Sequence, residues 1–537
     1  MVSTGSVEAS RAGVRILEEG GNAVDAAVAA ALTLGVSDPG GSGLGGLTYV
    51  LISTADGRDV AVDGSSPAPY VVDHKELIAI KEDEGRFGHT VVSVPTTLAT
   101  LVHALDRYGT MRLDEVLQPA IETAERGSRL SPNSLAWASG YMKEILASRY
   151  MRFIVLEDGQ RLGQPGDTFC RPDLRNTLAR IAREGAETFY RGRMADEISA
   201  DMARNGGFLR KVDLARYRVP EAAPLRSRYR DAEILAFPPP GGGAEVVETL
   251  NILGTFPSTF IAGHSVERLH VMVEATRLAR ADQIGASTGS GSMFGPSNQN
   301  AAYARERAAL ITPGRAIPES QIGDAGAVSV LGEHTTQVSV VDRDGNVVSL
   351  TQTLCRQYGS KVATPGLGFP YNSCLEFLDF ENPQSPVYLS PGGTFPTNMA
   401  PTIVRTGDSV MALGSAGSDR IPPSICEVVT NIVDRRMGLR DAVVAPRVLW
   451  NSSHDPGRVC VEVADPIVEA DAESLRRMGF DTMYILQYPP DPVADSAFFG
   501  GVNIVAYNSR TGVFTGVGDP RRDGFAVGPR VVAEPGD

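Results

Sequence analysis

Tryptophan and cysteine are scarce in this chain, at 2 and 5 of 537 residues. Cys170, Cys355, Cys374, Cys426 and Cys460 form no CxxC pair and no Cys/His metal spacing, so zinc ribbons and thioredoxin-like motifs are excluded. An odd, scattered set predicts reduced thiols rather than a disulfide framework. Positive charge is in deficit: 50 Lys+Arg stand against 64 Asp+Glu, a net charge of −14. Such a surface repels phosphate backbones, and nucleic acid is not an expected partner. The Ala-rich run from Ala23 to Leu34 is 12 residues, short of the ~20 that span a bilayer, so no membrane partner is expected. No basic segment precedes an apolar core at the N-terminus, where the first arginine is Arg11, and the expected location is cytoplasmic. Walker-type, HExxH, EF-hand and GxSxG patterns are missing, and the histidines show no ligand spacing. Neither a metal nor an organic cofactor is expected.

What remains is a chain of ordinary globular composition. Hydrophobic residues at 42% and charged residues at 21% exclude disorder. The length allows three or four domains or one large α/β globule. Ala9, Ala12, Ile16 and Leu17 recur at helical spacing until Gly20-Gly21. Asn22 caps a second helix, Ala23 to Leu34, with Gly35 positioned to stop it. A glycine-rich loop, Pro39 to Gly46, then enters a strand near Leu47 to Ile52, which returns along Asp59 to Asp63. Within the loop, Gly41-Ser42-Gly43-Leu44-Gly45-Gly46 satisfies GxGxxG. A dinucleotide fingerprint must follow a strand and open a helix, whereas this loop follows a helix and enters a strand. It reads as a tight turn against the core or a substrate cleft.

The middle of the chain predicts helices at Thr97–Arg107, Leu113–Arg126, Asp173–Glu184, Met194–Asn205 and Val266–Ile284. A Gly/Ser-rich stretch from Gly285 to Gly295 opens an exposed, flexible segment running to about Glu333. Strands follow at Thr335–Val341, Val347–Leu354, Thr402–Arg405, Val410–Leu413, Val459–Val463 and Gly501–Tyr507, with helices at Ser424–Arg435 and Ala470–Met478. The first two strands flank Arg343-Asp344-Gly345. If that is a three-residue loop with Gly345 left-handed, Thr353 lies opposite Thr335; a two-residue loop would pair it with Thr336.

The stretch from Thr335-Thr336-Gln337 through Ser339-Val340-Val341-Asp342, Asp344-Gly345-Asn346 and Ser349-Leu350-Thr351-Gln352-Thr353 to Tyr358-Gly359 resembles the central motif of the γ-glutamyltransferases (glutathione hydrolases), a family of N-terminal-nucleophile hydrolases. Further blocks match that family in order: Gly20 to Ala27, Leu117 to Ile121, Pro238-Pro239-Pro240, Met399 to Ile403, Ala445-Pro446-Arg447 and Asp519-Pro520-Arg521-Arg522. The resemblance implies an α+β fold, a four-layer αββα sandwich. It also implies one inactive chain that cuts itself between His334 and Thr335. The pieces would be residues 1–334 and 335–537, interleaved in one globule as a heterodimer.

Thr335 Oγ would then be the nucleophile, and its freed α-amine, with a reference pKa of about 7.7–8.0, the general base. One residue supplies both functions, as N-terminal threonine chemistry requires. By the same resemblance Thr353 orients the nucleophile, and the backbone N–H groups of Gly417 and Ser418 form the oxyanion hole. Serine in place of the family's second glycine keeps the N–H provided the backbone tolerates a side chain.

The departures from the family pattern gather at the end that grips the glutamyl group. Ser65 stands where the family has a carboxylate-binding arginine, and serine cannot make a two-pronged, charge-assisted bond. Cys355 replaces an asparagine, and Asn372-Ser373-Cys374-Leu375-Glu376-Phe377 replaces an amide- and acid-rich segment, leaving Glu376 to meet an amino group. Thr397-Asn398 replaces a serine pair, and Gln337 a histidine. Cys355 and Cys374 read as small apolar filler. The expected substrate is a small-molecule amide: a γ-glutamyl compound, or a non-glutamyl amide as in the acylase-like and oxamate-type relatives. A non-catalytic member that binds a small amide is the reading from a different class.

Overall fold

The computed structural model describes all residues except 74, 76, 79–86, 264, 289–299, 323–334, 386, 452–457, 464–465, 487–495 and 530–537. In the approach segment ending at Glu333, residues 289–299 and 323–333 lie outside the described residues, as does His334, whereas Ala301–Ala308 and Glu319–Ile322 are helical.

Two antiparallel sheets form the centre. Their strands in chain order are β1 (Val2–Thr4), β2 (Leu47–Ser53), β3 (Asp59–Gly64), β4 (Glu221–Ala222), β5 (Leu225–Tyr229), β6 (Ala232–Ala236), β7 (Thr335–Val341), β8 (Val347–Thr353), β9 (Thr402–Thr406), β10 (Ser409–Ala416), β11 (Gly501–Asn508), β12 (Val513–Gly518) and β13 (Phe525–Val527). The seven-stranded sheet runs β13-β1-β7-β8-β2-β3-β4, the six-stranded sheet β12-β11-β10-β9-β6-β5. Each takes strands from both sides of residue 334. A smaller three-stranded sheet, Val448–Asn451, Arg458–Val463 and Asp481–Leu486, lies outside them.

Strand alternation sorts the core. Val338, Val340, Val348 and Leu350 join Val50 and Ile52 in packing against α1 (Val7–Glu18), α2 (Ala23–Ser37) and α3 (Thr97–Tyr108). On the opposite face Val341, Val347, Tyr49 and Leu51 meet Leu235, Phe237, Ile403, Ala412 and Val505 of the second sheet. Tyr49 stacks on Phe237 at 4.3 Å between ring centroids. The outer face of the second sheet, Ile234, Val404, Met411, Leu413, Val502 and Ile504, packs on α4 (Gly243–Gly254), α5 (Val266–Thr288) and α6 (Ile421–Val433). Between the sheets Ser339 Oγ donates to the Asn503 carbonyl at 2.9 Å and Ser349 Oγ to that of Leu413 at 2.8 Å, satisfying buried hydroxyls across the interface.

Helix α2 fixes the key hairpin. Asn22 Oδ1 accepts from the Val24 and Asp25 N–H groups, and the Asp25 carboxylate from Asn22 N–H, a reciprocal cap. The Ala23 N–H donates to Asp342 Oδ2 at 2.9 Å, while Asp342 Oδ1 accepts from the Asp344 and Asn346 N–H groups. One aspartate thus shapes the β7–β8 turn and ties it to the helix. The turn is the three-residue form: Asp342 pairs with Asn346, and Thr353 lies opposite Thr335.

Two sequence expectations fail here. Gly35 does not stop α2, which continues to Ser37; it is the point of close approach to Gly43, whose Cα would lie 3.0 Å from a Cβ at position 35. Nor are Cys355 and Cys374 separate reduced thiols. They form a disulfide with Cα atoms 5.9 Å apart. Cys355 follows β8 and Cys374 begins a short 3-10 turn, Cys374–Phe377. The fold brings the two together when the Ser373 N–H pairs with the Leu354 carbonyl at 3.1 Å, a return that no cysteine spacing reveals. Cys170, Cys426 and Cys460 are in no disulfide, as expected.

Candidate active site

Thr335 is the first residue of β7 and is buried between two cavities. The smaller, about 20 Å³, is lined by Thr335, Thr353, Cys355, Thr397, Asn398 and Ser418 together with Phe377, Phe395, Met399 and Ile421. Six of the sequence-predicted positions therefore meet in one place. The Thr353 hydroxyl accepts the Cys355 N–H at 3.0 Å, which fixes its rotamer at the end of β8.

The oxyanion candidates follow from the local backbone. Strand β10 ends at Ala416, and the chain turns through Gly417, at φ +122°, and Ser418, at φ +61°, into α6. A Cβ on Gly417 would come 2.9 Å from Gly500 Cα, so only glycine fits there. Ser418 occupies the left-handed region with its side chain buried, so the backbone does tolerate serine. The turn precedes the N-terminus of α6, whose dipole favours negative charge.

The remaining predicted residues are held elsewhere. Ser65 Oγ donates to Asp63 Oδ1 at 2.6 Å and shares a hydrogen bond with the Tyr49 hydroxyl at 2.9 Å. Ser65 is not among the residues lining the cavity. Glu376 accepts Arg356 Nε at 2.8 Å on both oxygens and Ser373 Oγ at 2.7 Å. Burial pushes its carboxyl upward against the pull of Arg356. It too is not among the residues lining the cavity, although the neighbouring Phe377 is. Asn398 Oδ1 accepts from Arg280, which also pairs with Glu245 at 3.1 Å. Gln337 spans the space between the sheets, where its amide meets Ser339, Ser349 and Thr351. The glycine loop lines neither cavity. Its Gly45 carbonyl instead accepts the Asn372 N–H and side-chain amide, seating the 371–377 segment.

The chain matches the family model for gamma-glutamyltranspeptidase over residues 9–528. The chain belongs to the γ-glutamyltranspeptidase family. It is thus an enzyme of the amide-hydrolysing kind. The chain is 35% identical to the acylase ACY 1 proenzyme of Pseudomonas sp. (strain V22), over 98% of this chain and 93% of that protein. The glutathione hydrolase proenzyme of Escherichia coli (strain K12) is 32% identical over 83% of this chain and 80% of its own length. Among solved structures, cephalosporin acylase from Bacillus halodurans superposes with a TM-score of 0.86 at 28% identity, covering 98% of this chain and 95% of that one. Proteins named glutathione hydrolase and acylase are thus both similar to this chain over most of its length.

Sequence reasoning did not find the apolar wall of Phe377, Phe395, Met399 and Ile421. Single apolar residues carry no motif, although Met399 stands in a matched block. It also gave no role to Arg522, which lines the second cavity. Among the described residues no group of three His, Cys, Asp or Glu is arranged to hold a metal. No helix there is long and apolar enough to cross a membrane.

Proposed function

We propose that this protein is a self-cleaving threonine amidohydrolase of the αββα N-terminal-nucleophile type whose acyl substrate is uncharged and small rather than γ-glutamyl. Cleavage before Thr335 would leave residues 1–334 and 335–537 as an interleaved heterodimer. The Thr335 hydroxyl attacks the amide carbonyl, its own α-amine takes the proton and passes it to the leaving nitrogen, and water then hydrolyses the ester. Thr353 holds the hydroxyl in line, and the Gly417 and Ser418 N–H groups receive the oxyanion.

The lining of the small cavity carries the reading on the acyl group. Its walls are Cys355, Phe377, Phe395, Met399 and Ile421, with Thr397 and Asn398 as the polar side chains beyond Thr335, Thr353 and Ser418. Among the described residues no cation lines it to meet a carboxylate, and no acid to meet an ammonium. Binding a glutamyl group there would strip water from two charges without replacing it, which is strongly unfavourable. Similarity to acylase proenzymes supports an acyl group other than γ-glutamyl. A panel of p-nitroanilides tests it: short neutral acyl groups are expected to exceed the γ-glutamyl compound in kcat/KM by at least about tenfold, one missing charge-assisted contact. A clear preference for γ-glutamyl-p-nitroanilide would overturn it.

A further inference from the structure

The second cavity bordering Thr335 has a different character. At about 160 Å³ it is comparable to cavities that hold a six-carbon ring. It reaches from Thr335 and Thr336 to Glu8, Asp38, Arg129, Trp137, Arg522 and Asp523. Three carboxylates thus face two guanidiniums. Buried pairs fix the turn that aims Arg522: Arg521 grips Glu462 through Nε at 2.6 Å and Nη2 at 2.7 Å, and Arg447 grips Asp519 at 2.6 Å. Arg522 then lies along Gly501, with its Nη2 3.5 Å from where a Gly417 Cβ would stand. Asp523 accepts Ser131 Oγ at 2.7 Å and the Asn133 amide at 3.0 Å, and Asp38 accepts the Gly41 N–H at 3.2 Å.

An amide held for attack has two halves, which leave the reacting carbon in different directions. The half whose oxygen meets Gly417 and Ser418 occupies the small apolar cavity, where Ser418 lines the wall. The nitrogen half must then point into the other space that Thr335 borders. We infer that the charged cavity is the subsite for the amine half of the substrate, and that it takes an amine bearing a positive charge, met by Asp38, Asp523 and Glu8. This assignment rests on the proposed threonine mechanism.

The chemistry balances without any added reagent. The bond from Thr335 Oγ to the acyl carbon forms and the carbon–nitrogen bond breaks. The hydroxyl proton travels through the Thr335 α-amine to the departing nitrogen; water then hydrolyses the Thr335 ester, and the carboxylic acid so released gives up the proton that makes the freed amine an ammonium. Negative net charge in the cavity favours that product state. Burial and the neighbouring Asp523 push the Asp38 carboxyl up to about 6, against the pull of Arg522 and Arg171, so an arriving cation would relieve a carboxylate left short of positive charge.

The probe is 1,4-diaminobutane, with 1-butanol as its neutral counterpart, titrated calorimetrically into the purified self-cleaved protein and, separately, used to inhibit turnover of a neutral acyl-p-nitroanilide. The diamine is expected to bind at least about tenfold more tightly than the alcohol and to inhibit competitively. Asp38→Asn is expected to weaken it about tenfold. Glu8→Gln, at the partly exposed rim, serves as a second variant should Asp38→Asn not fold, and is expected to weaken it several-fold. Equal affinity for diamine and alcohol, or diamine binding untouched by both variants, would overturn the assignment. Calorimetry reads the cavity without turnover, so loss of anilide hydrolysis in the wild type would count against the threonine mechanism alone.

Discussion

Thr353 stands directly across the β7–β8 pair from Thr335, each the outermost paired residue of its strand. Its hydroxyl is turned by the Cys355 N–H at 3.0 Å, so its position is set by backbone rather than by a mobile side chain. Thr353→Val keeps the volume and removes the hydroxyl. Its expected effect is a loss of about 10²-fold in kcat with little change in KM, the scale of a misplaced reacting group. Thr353→Ser should recover most of the rate. Steady-state kinetics on the best anilide substrate checks both.

The turn after β10 separates two residues of superficially similar role. Gly417→Ala places a methyl against Gly500 Cα, so the turn must open, and kcat is expected to fall by roughly 10²–10³, as when an oxyanion donor is lost. Ser418→Gly retains the N–H and relieves a left-handed non-glycine residue, a conformation that costs about 1 kcal/mol. It should leave kcat within about twofold and the melting temperature no lower than wild type. Kinetics and thermal unfolding of the two variants side by side distinguish them.

The Cys355–Cys374 bridge closes a short loop, with a sequence separation of 19. By chain entropy such a link contributes about 3 kcal/mol. Because Cys355 also lines the small cavity and orders Thr353, the Cys355→Ser/Cys374→Ser pair should lower both the unfolding midpoint and kcat/KM. Denaturant unfolding with and without reductant is the check: wild type should respond to reductant and the double variant should not.

Glu245 is buried on α4 beneath Arg280, and burial outweighs that guanidinium to push its carboxyl from 4.5 up to about 7. The folded protein therefore holds this proton more tightly than the unfolded chain. The stability it provides is present below about pH 4.5 and lost as the pH rises to about 7, on the order of 3 kcal/mol. Glu245→Gln removes the titration. The variant is expected to gain stability relative to wild type between pH 5 and pH 8, read as the difference in denaturant midpoints; a difference independent of pH would contradict the assignment.

Much of the site was legible in the sequence through its resemblance to a family motif. The alternation from Thr335 to Thr353, with Asp342, Gly345 and Asn346 between, marks a hairpin, while its register was open between two loop lengths until the Asp342–Asn346 pair put the two threonines opposite one another. Asn22 and Asp25 mark the start of α2 in the same way. Features made by distant chain segments were not legible. Strand β1 is three residues long and owes its place to pairing with β7 and β13, so local propensity could not announce it. The disulfide depends on where the chain returns after Gly359. The polar residues expected to grip substrate were read one at a time. Their partners, Arg356 for Glu376 and Asp63 for Ser65, come from distant or neighbouring chain that the residues taken singly do not show.

Intact-mass measurement of the purified protein beside Thr335→Ala reads self-cleavage itself. Two chains of 334 and 203 residues are expected in the wild type, with the second beginning at Thr335, and one chain of 537 residues in the variant. A single uncut chain in both samples would contradict it, because the α-amine on which the mechanism depends would never be set free.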